Sequence, residues 1–173
     1  MSRLARRPIP FPNSVSCVFQ KGVLSFSSGA KNEKVLIPDF IKCDIEDSNL
    51  KFSFSVEVKD KARYSMLGTV IAHSKSAIKG VTEGYKKQLE LKGVGYKASL
   101  ISPNRISLSI GYSDPVEIDI IDNVCAKVEK ETLILLESTN ACLVGTMAAK
   151  IIKLRPPSKF KRGSIILKKE SNQ

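Results

Sequence analysis

The sequence predicts an α+β protein built from two tandem similar domains, each a mainly antiparallel β-sheet with one packing helix, the product of an internal duplication. Three observations predict it. Runs of period-two alternation precede a single apolar stripe at three- and four-residue steps, and this order occurs twice within 173 residues. Segments of the two runs match one another in sequence order. A length of 173 residues also accommodates two units of about 80–90 residues. A hydrophobic content of 42% with only 6% aromatics and no Trp suits small cores packed with Val, Ile and Leu.

Pro8, Pro10 and Pro12 force an extended lead-in, since each fixes its own φ and biases the residue before it away from the helical region. Strands are then expected over 15–19, 23–27, 34–37, 41–45 and 50–58, separated by turns at Lys21-Gly22, at 28–32 and at Pro38-Asp39. In the last strand Phe52, Phe54, Val56 and Val58 alternate with Lys51, Ser53, Ser55 and Glu57, which buries one face. After Asp60 the period changes. Arg63, Met66, Leu67, Val70, Ile71, Ser74, Ala77, Ile78 and Val81 form one stripe of an amphipathic helix, with Gly80 as its expected C-terminal stop.

The second half repeats the plan. Strands are expected over 85–91, 96–101, 105–112, 116–121, 125–128 and 132–136, with a bend at Gly93-Val94-Gly95. That G-x-G lacks a following helix, so it reads as a strand bend and not as a phosphate loop. Thr139 or Asn140 caps a helix whose apolar side is Leu143, Val144, Met147, Ala148, Ile151 and Leu154, ended by Pro156.

Overlaying the halves, residues 23–29 match 105–111 at an offset of 82, and Cys43 falls on Cys125 at the same offset. Leu67-Gly68-Thr69-Val70 matches Val144-Gly145-Thr146-Met147 at an offset of 77. Three matches in order argue for duplication, with domains over 1–81 and 82–173. The stretch Lys79–Ala98 then ends one copy's helix and supplies the first strand of the next. The mid-helix glycines cost about 1 kcal/mol each relative to Ala, a cost expected to be offset by close approach of helix backbone to sheet.

The net charge of +11 is concentrated at the ends. Arg3, Arg6 and Arg7 open the chain. Lys150, Lys153, Arg155, Lys159, Lys161, Arg162, Lys168 and Lys169 gather near its close against Glu170, leaving residues 8–149 with 17 basic and 16 acidic side chains. Such a field suits a polyanion, and nucleic acid is the commonest. A membrane-surface helix is disfavoured by Pro156, Pro157 and Gly163. No apolar run is long enough to span a bilayer and the N-terminus lacks the apolar stretch of a secretory signal, so a soluble protein is expected, with no membrane partner.

Cys17, Cys43, Cys125 and Cys142 are far apart, so neither a zinc site nor a disulfide framework is expected, and they read as small buried hydrophobes in a reducing compartment. His73, the one histidine, lies off the centre of its helix stripe and reads as a solvated side chain. Without a Cys/His cluster, a nucleophile motif or paired carboxylates there is nothing to build a catalytic site from, and no enzyme activity, metal or cofactor is expected.

Lys153, Arg155, Lys159, Lys161 and Arg162 are the foremost RNA-contact candidates, because they follow a buried helix in what reads as an irregular segment able to lie along phosphates. Phe160 within that run can stack on an unpaired base. Lys168 and Lys169 extend the set, and Arg3, Arg6 and Arg7 form a second one. Around the centre Lys86, Lys92 and Lys97 are candidates, Lys87 sharing the face of Tyr85, Leu89 and Leu91 instead.

The chain resembles the bacterial-type large-subunit ribosomal protein L-six family. The opening Met1-Ser2-Arg3 with Pro8-Ile9-Pro10 carries the resemblance, as do Lys79-Gly80-Val81-Thr82-Glu83-Gly84-Tyr85 and Gly93-Val94-Gly95-Tyr96-Lys97-Ala98. Residues 108–113 with Pro115-Val116, and Val144-Gly145 followed by Arg155-Pro156-Pro157, complete it across nearly the whole chain. The resemblance implies a structural protein bound to large-subunit rRNA, mainly through its second domain. It also implies neighbouring large-subunit proteins and a position near the elongation-factor-binding region and stalk base, with translation factors nearby. The ribosome would be that of a bacterial cytoplasm or of an organelle, plastid or mitochondrion. One stretch departs from the family. Where a Pro-Tyr-Lys-Gly-Lys-Gly-like loop is usual, residues 158–165 keep an aromatic in Phe160 but place Arg162 and Ser164 where glycines are expected. The alternative reading is a non-ribosomal RNA-binding or RNA-chaperone module with the same field.

Overall fold

In the computed structural model, residues 8–46, 48–54, 61–158 and 163–168 are described. The chain divides into two compact units, 1–84 and 85–173. The first contains β1 (Ile9–Pro10), β2 (Ser16–Gln20), β3 (Val23–Ser28), β4 (Lys31–Leu36), β5 (Ile41–Glu46), β6 (Asn49–Phe54) and α1 (Lys61–Thr82). The second contains β7 (Tyr85–Lys92), β8 (Lys97–Ser102), β9 (Arg105–Ser109), β10 (Val116–Asp119), β11 (Cys125–Glu129), β12 (Leu133–Ser138), α2 (Ala141–Leu154) and β13 (Ser164–Lys168).

Every described strand pair is antiparallel, and the two units share one pairing plan. The first unit has sheets of order β2-β3-β4 and β1-β6-β5. The second has β8-β9-β10 and β7-β12-β11, with β13 added beside β7. The match extends to side chains: Leu24 and Phe26 of β3 are fully buried, as are Ile106 and Leu108 of β9, the positions 82 residues on. Each such side chain contributes about 1.5–3 kcal/mol by leaving water.

In the first unit the β2–β3 hairpin turns through Lys21 (φ 48°) and Gly22 (φ 75°), a two-residue loop whose positive φ at both positions matches the right-handed twist of the strands. The buried residues of β3 and β6 alternate strictly: Leu50 and Phe52 point inward, Lys51 and Ser53 outward. The remainder of the expected 50–58 strand, from residue 55, lies outside the described residues. α1 buries Leu67, Val70, Ile71, Ser74, Ala77, Ile78 and Val81 against β3 and β4. Ser74 is tolerated there because its hydroxyl donates to the Val70 carbonyl at 2.9 Å. Arg63 and Met66, expected on the stripe, are exposed, and the Arg63 guanidinium lies over the Phe40 ring.

Two further expectations about α1 are corrected. Gly80 does not stop the helix; it is buried within it, and the helix continues to Thr82. Termination falls at Gly84, whose φ of 78° carries the chain out of the helix while its N–H still reaches the Lys79 carbonyl at 3.3 Å. Nor do the mid-helix glycines mark close approach to the sheet. Among the described residues, a Cβ on Gly68 would meet nothing within 4 Å, and one on Gly145 only the Lys87 ammonium at 3.7 Å.

In the second unit α2 begins at Asn140, whose side chain accepts from the Cys142 N–H at 2.8 Å. Val144, Met147, Ala148 and Ile151 face β7, β12 and β13. The helices therefore differ in seat: α1 lies over the hairpin sheet, α2 over the four-stranded one. The units also differ in strand length: β1 has two residues, whereas β7 has eight and is flanked by β13. The strand expected over 105–112 stops at Ser109, because Gly111 (φ 79°) turns the chain away. The segment after Arg155 is likewise not irregular throughout: Ser164–Lys168 is β13, pairing with β7 from Ser164↔Lys92 to Lys168↔Gln88.

The cysteines are all free. Cys17 and Cys43 are half-buried, whereas Cys125 and Cys142 are exposed, against the expectation that all four are buried.

Candidate nucleic-acid interface

The end of α2 and the start of β13 are joined by a cluster that sequence reasoning did not single out. Tyr96, 8% exposed, sits directly after the Gly93-Val94-Gly95 bend. Its hydroxyl accepts a hydrogen bond from Arg155 Nε at 3.2 Å. The same guanidinium lies over the Tyr112 ring, 5.4 Å from the centroid, and the Tyr112 hydroxyl donates to the Leu154 carbonyl at 3.1 Å. The Arg155 carbonyl accepts from the Ile165 N–H at 3.0 Å, which places the start of β13 against the C-cap residue of the helix. The two phenols, Tyr112 foremost and then Tyr96, raise the Arg155 pKa above its ordinary value.

Two glycines, Gly93 and Gly163, make room for Tyr96, and a third, Gly111, lies in ordinary contact with its ring. An added Cβ would come within 2.9 Å of the ring at Gly93, 3.4 Å at Gly111 and 2.2 Å of the hydroxyl at Gly163. Three backbone segments thus converge on one phenol. The available signal was the pattern glycine-then-tyrosine at 95–96 and 111–112, where both glycines have positive φ (75° and 79°).

The predicted contact residues separate into distinct groups. Lys153 is exposed on the last turn of α2, two residues from Arg155, which is half-buried. Lys92 lies at the Ser164 end of β13, the end nearer Arg155, whereas Lys168 lies opposite Gln88, towards the end of β7 that carries Lys86. Lys86, Lys92 and Lys97 are exposed, as their strand faces require, but each has a carboxylate: Lys86–Glu137 at 3.1 Å, Lys92–Glu90 at 3.8 Å and Lys97–Glu131 at 3.1 Å. Lys153 and Lys168 make no ion pair with a described residue. Surface pairs of this kind are worth about 0–1 kcal/mol, so a phosphate can displace a carboxylate, yet the local field around those three lysines is close to neutral. Arg105 is similarly committed, to Asp119 at 2.9 Å and Glu117 at 3.3 Å. Lys159, Phe160, Lys161, Arg162, Lys169, Arg3, Arg6 and Arg7 lie outside the described residues.

Other chemistry is sparse. His73 is exposed on α1. Among the described residues no group of three or more His, Cys, Asp or Glu could hold a metal ion, and no helix is long and apolar enough to cross a membrane.

Fold and surface together define a duplicated α+β protein whose second unit carries an added strand and an arginine held between two tyrosines. No protein-family model matches the chain. It is similar to large ribosomal subunit protein uL6 of Chromohalobacter salexigens, 33% identical over 93% of this chain and 89% of the relative. The uL6 of Psychromonas ingrahamii is 35% identical over 93% and 89%, and that of Synechocystis sp. 32% over 93% and 88%. The chain belongs to the uL6 family of large ribosomal subunit proteins.

Proposed function

We propose that this protein is a structural constituent of the large ribosomal subunit that binds large-subunit rRNA chiefly through the basic end of its second unit. The observation that carries the reading is similarity to uL6 relatives along 93% of the chain, joined to an excess charge gathered after Lys150. Cations there neutralise phosphates where RNA segments converge and release condensed counterions, so affinity falls steeply with salt. No bond is made or broken; the contribution is geometric. Lys153, Arg155, Lys159, Lys161 and Arg162 are the principal contacts, with Phe160, Lys168 and Lys169 beside them, and Arg3, Arg6 and Arg7 a second group. Lys86, Lys92 and Lys97 act as secondary contacts, because each must first exchange its carboxylate. Within the subunit the protein lies near the elongation-factor-binding region and stalk base, among neighbouring ribosomal proteins and with translation factors close by. The ribosome is that of a bacterial cytoplasm or an organelle.

The test is filter binding of the full chain to a large-subunit rRNA transcript between 50 and 200 mM salt, a range over which about 6–10 phosphate contacts lose about 10³–10⁵ in affinity. Replacing Lys159, Lys161 and Arg162 by Ala should weaken binding and flatten the salt slope by about three contacts' worth. Unchanged binding would remove the site assignment.

A further inference from the structure

The cluster around Arg155 leaves one aromatic open. Tyr112 is 51% exposed, although its hydroxyl is tied to the Leu154 carbonyl at 3.1 Å and the Arg155 guanidinium lies 5.4 Å from its ring centroid. A solvated tyrosine at a strand exit would be free to rotate. Here the hydroxyl bond and the arginine fix its plane before any ligand arrives, so little rotamer entropy remains to be lost on binding. Gly111, with φ 79°, places the residue outside β9 while the neighbouring Tyr96 stays in the core. Lys153, exposed on the last turn of α2 and without an ion pair among the described residues, adds positive charge to this end of the unit.

From this arrangement we infer that Tyr112, backed by Arg155, is a stacking platform for an unpaired nucleobase of the bound RNA. A base has a π-face of ring size and is linked to a phosphate that the cations of this basic end can meet, so one nucleotide answers both the ring and the charge; an apolar side chain of a protein would leave the charge unanswered. Base–aromatic stacking is tolerant of base identity, and the stacked guanidinium strengthens the platform by polarising the ring. The inference rests on the rRNA-binding reading above, and adds to it a residue and a mode of contact.

The chain contains no Trp, so Tyr112→Trp introduces a unique reporter. In the full chain titrated with a large-subunit rRNA transcript, this variant should bind within about threefold of the unmodified protein, since it keeps an aromatic face. Its emission should be quenched and shielded from acrylamide on binding. Tyr112→Leu should lose about tenfold in affinity, whereas Tyr112→Phe, which keeps the ring face and loses only the hydroxyl bond that orients it, should lose about twofold to threefold. Binding of the Trp variant without quenching or shielding would overturn the platform while leaving the RNA-binding reading intact. Failure of the unmodified chain to bind the transcript would overturn the RNA-binding reading, and the platform with it. Should Tyr112→Leu prove unfolded, the Trp reporter decides.

Discussion

Tyr96 and Arg155, 59 residues apart, meet in a hydrogen bond of 3.2 Å from Arg155 Nε to the buried phenol oxygen. The bond joins the bend after the first strand of the second unit to the last turn of that unit's helix, and Gly163 closes over the same oxygen. Tyr96→Ala should therefore act as a core truncation, costing about 3–5 kcal/mol in urea unfolding. Tyr96→Phe keeps the ring packed and should cost far less. Equal costs for the two would mean that the ring's packing is not what holds the three segments.

Two Gly→Ala substitutions should act with opposite sign. At Gly163 the methyl would stand 2.2 Å from the Tyr96 hydroxyl, and forcing a buried ring aside costs about 1–3 kcal/mol. At Gly68 it would meet no described atom within 4 Å, and the gain in helix propensity stabilises by about 0.5–1 kcal/mol. Denaturation midpoints of both variants check the pair.

The Asn140 cap gives a third case. Its side chain satisfies the Cys142 N–H, and Asn140→Ala should destabilise the second unit by about 0.5–2 kcal/mol. Hydrogen exchange should locate the loss at the first turn of α2.

The cysteines predict a reactivity order and an alkaline weakness. Burial pushes the Cys17 thiol up to about 11 and the Cys43 thiol to about 12, the latter helped by Cys17 and Asp44. The thiolate is the nucleophile. Iodoacetamide at pH 8 should thus modify exposed Cys125 and Cys142 at least about tenfold faster than Cys17 and Cys43. As for sign, the unfolded thiols lose their protons near 9 while the folded ones keep them. The native state then binds more protons, and stability is full below pH 9 and declines as pH rises towards 11–12. Mass spectrometry of labelled protein and unfolding midpoints from pH 8 to 11 measure the two effects.

Much of the fold was legible because it is local. Period-two alternation placed β3, β6 and β9, and the apolar stripes placed both helices. The offset of 82 linked Leu24 and Phe26 to Ile106 and Leu108, which the structure buries alike. What escaped was long-range or masked by charge. Ser164-Ile165-Ile166-Leu167 is a strand-like run, but it stands between lysine-rich segments and was absorbed into a basic tail; only its pairing with β7 reveals it. Gly80 looked like a stop because glycine so often is one, yet it lies buried within the helix, and the left-handed residue is Gly84. Lys86 and Lys97 were visible as charges, whereas their carboxylates, Glu137 and Glu131, come from elsewhere in the unit and could not be paired from sequence. Tyr96 and Tyr112 stood in plain view within glycine-containing blocks, but their meeting at Arg155 depends on the tertiary fold.

Sedimentation of the tagged full chain with ribosomes tests the central claim most directly. The account predicts that it travels with the large subunit, in near-equal molar ratio to large-subunit rRNA, and stays there through a wash at about 0.5 M salt, because many phosphate contacts and a fitted surface act together. Release below about 0.2 M, or equal recovery with small subunits and unrelated RNA, would contradict it and favour an exchangeable RNA-binding module.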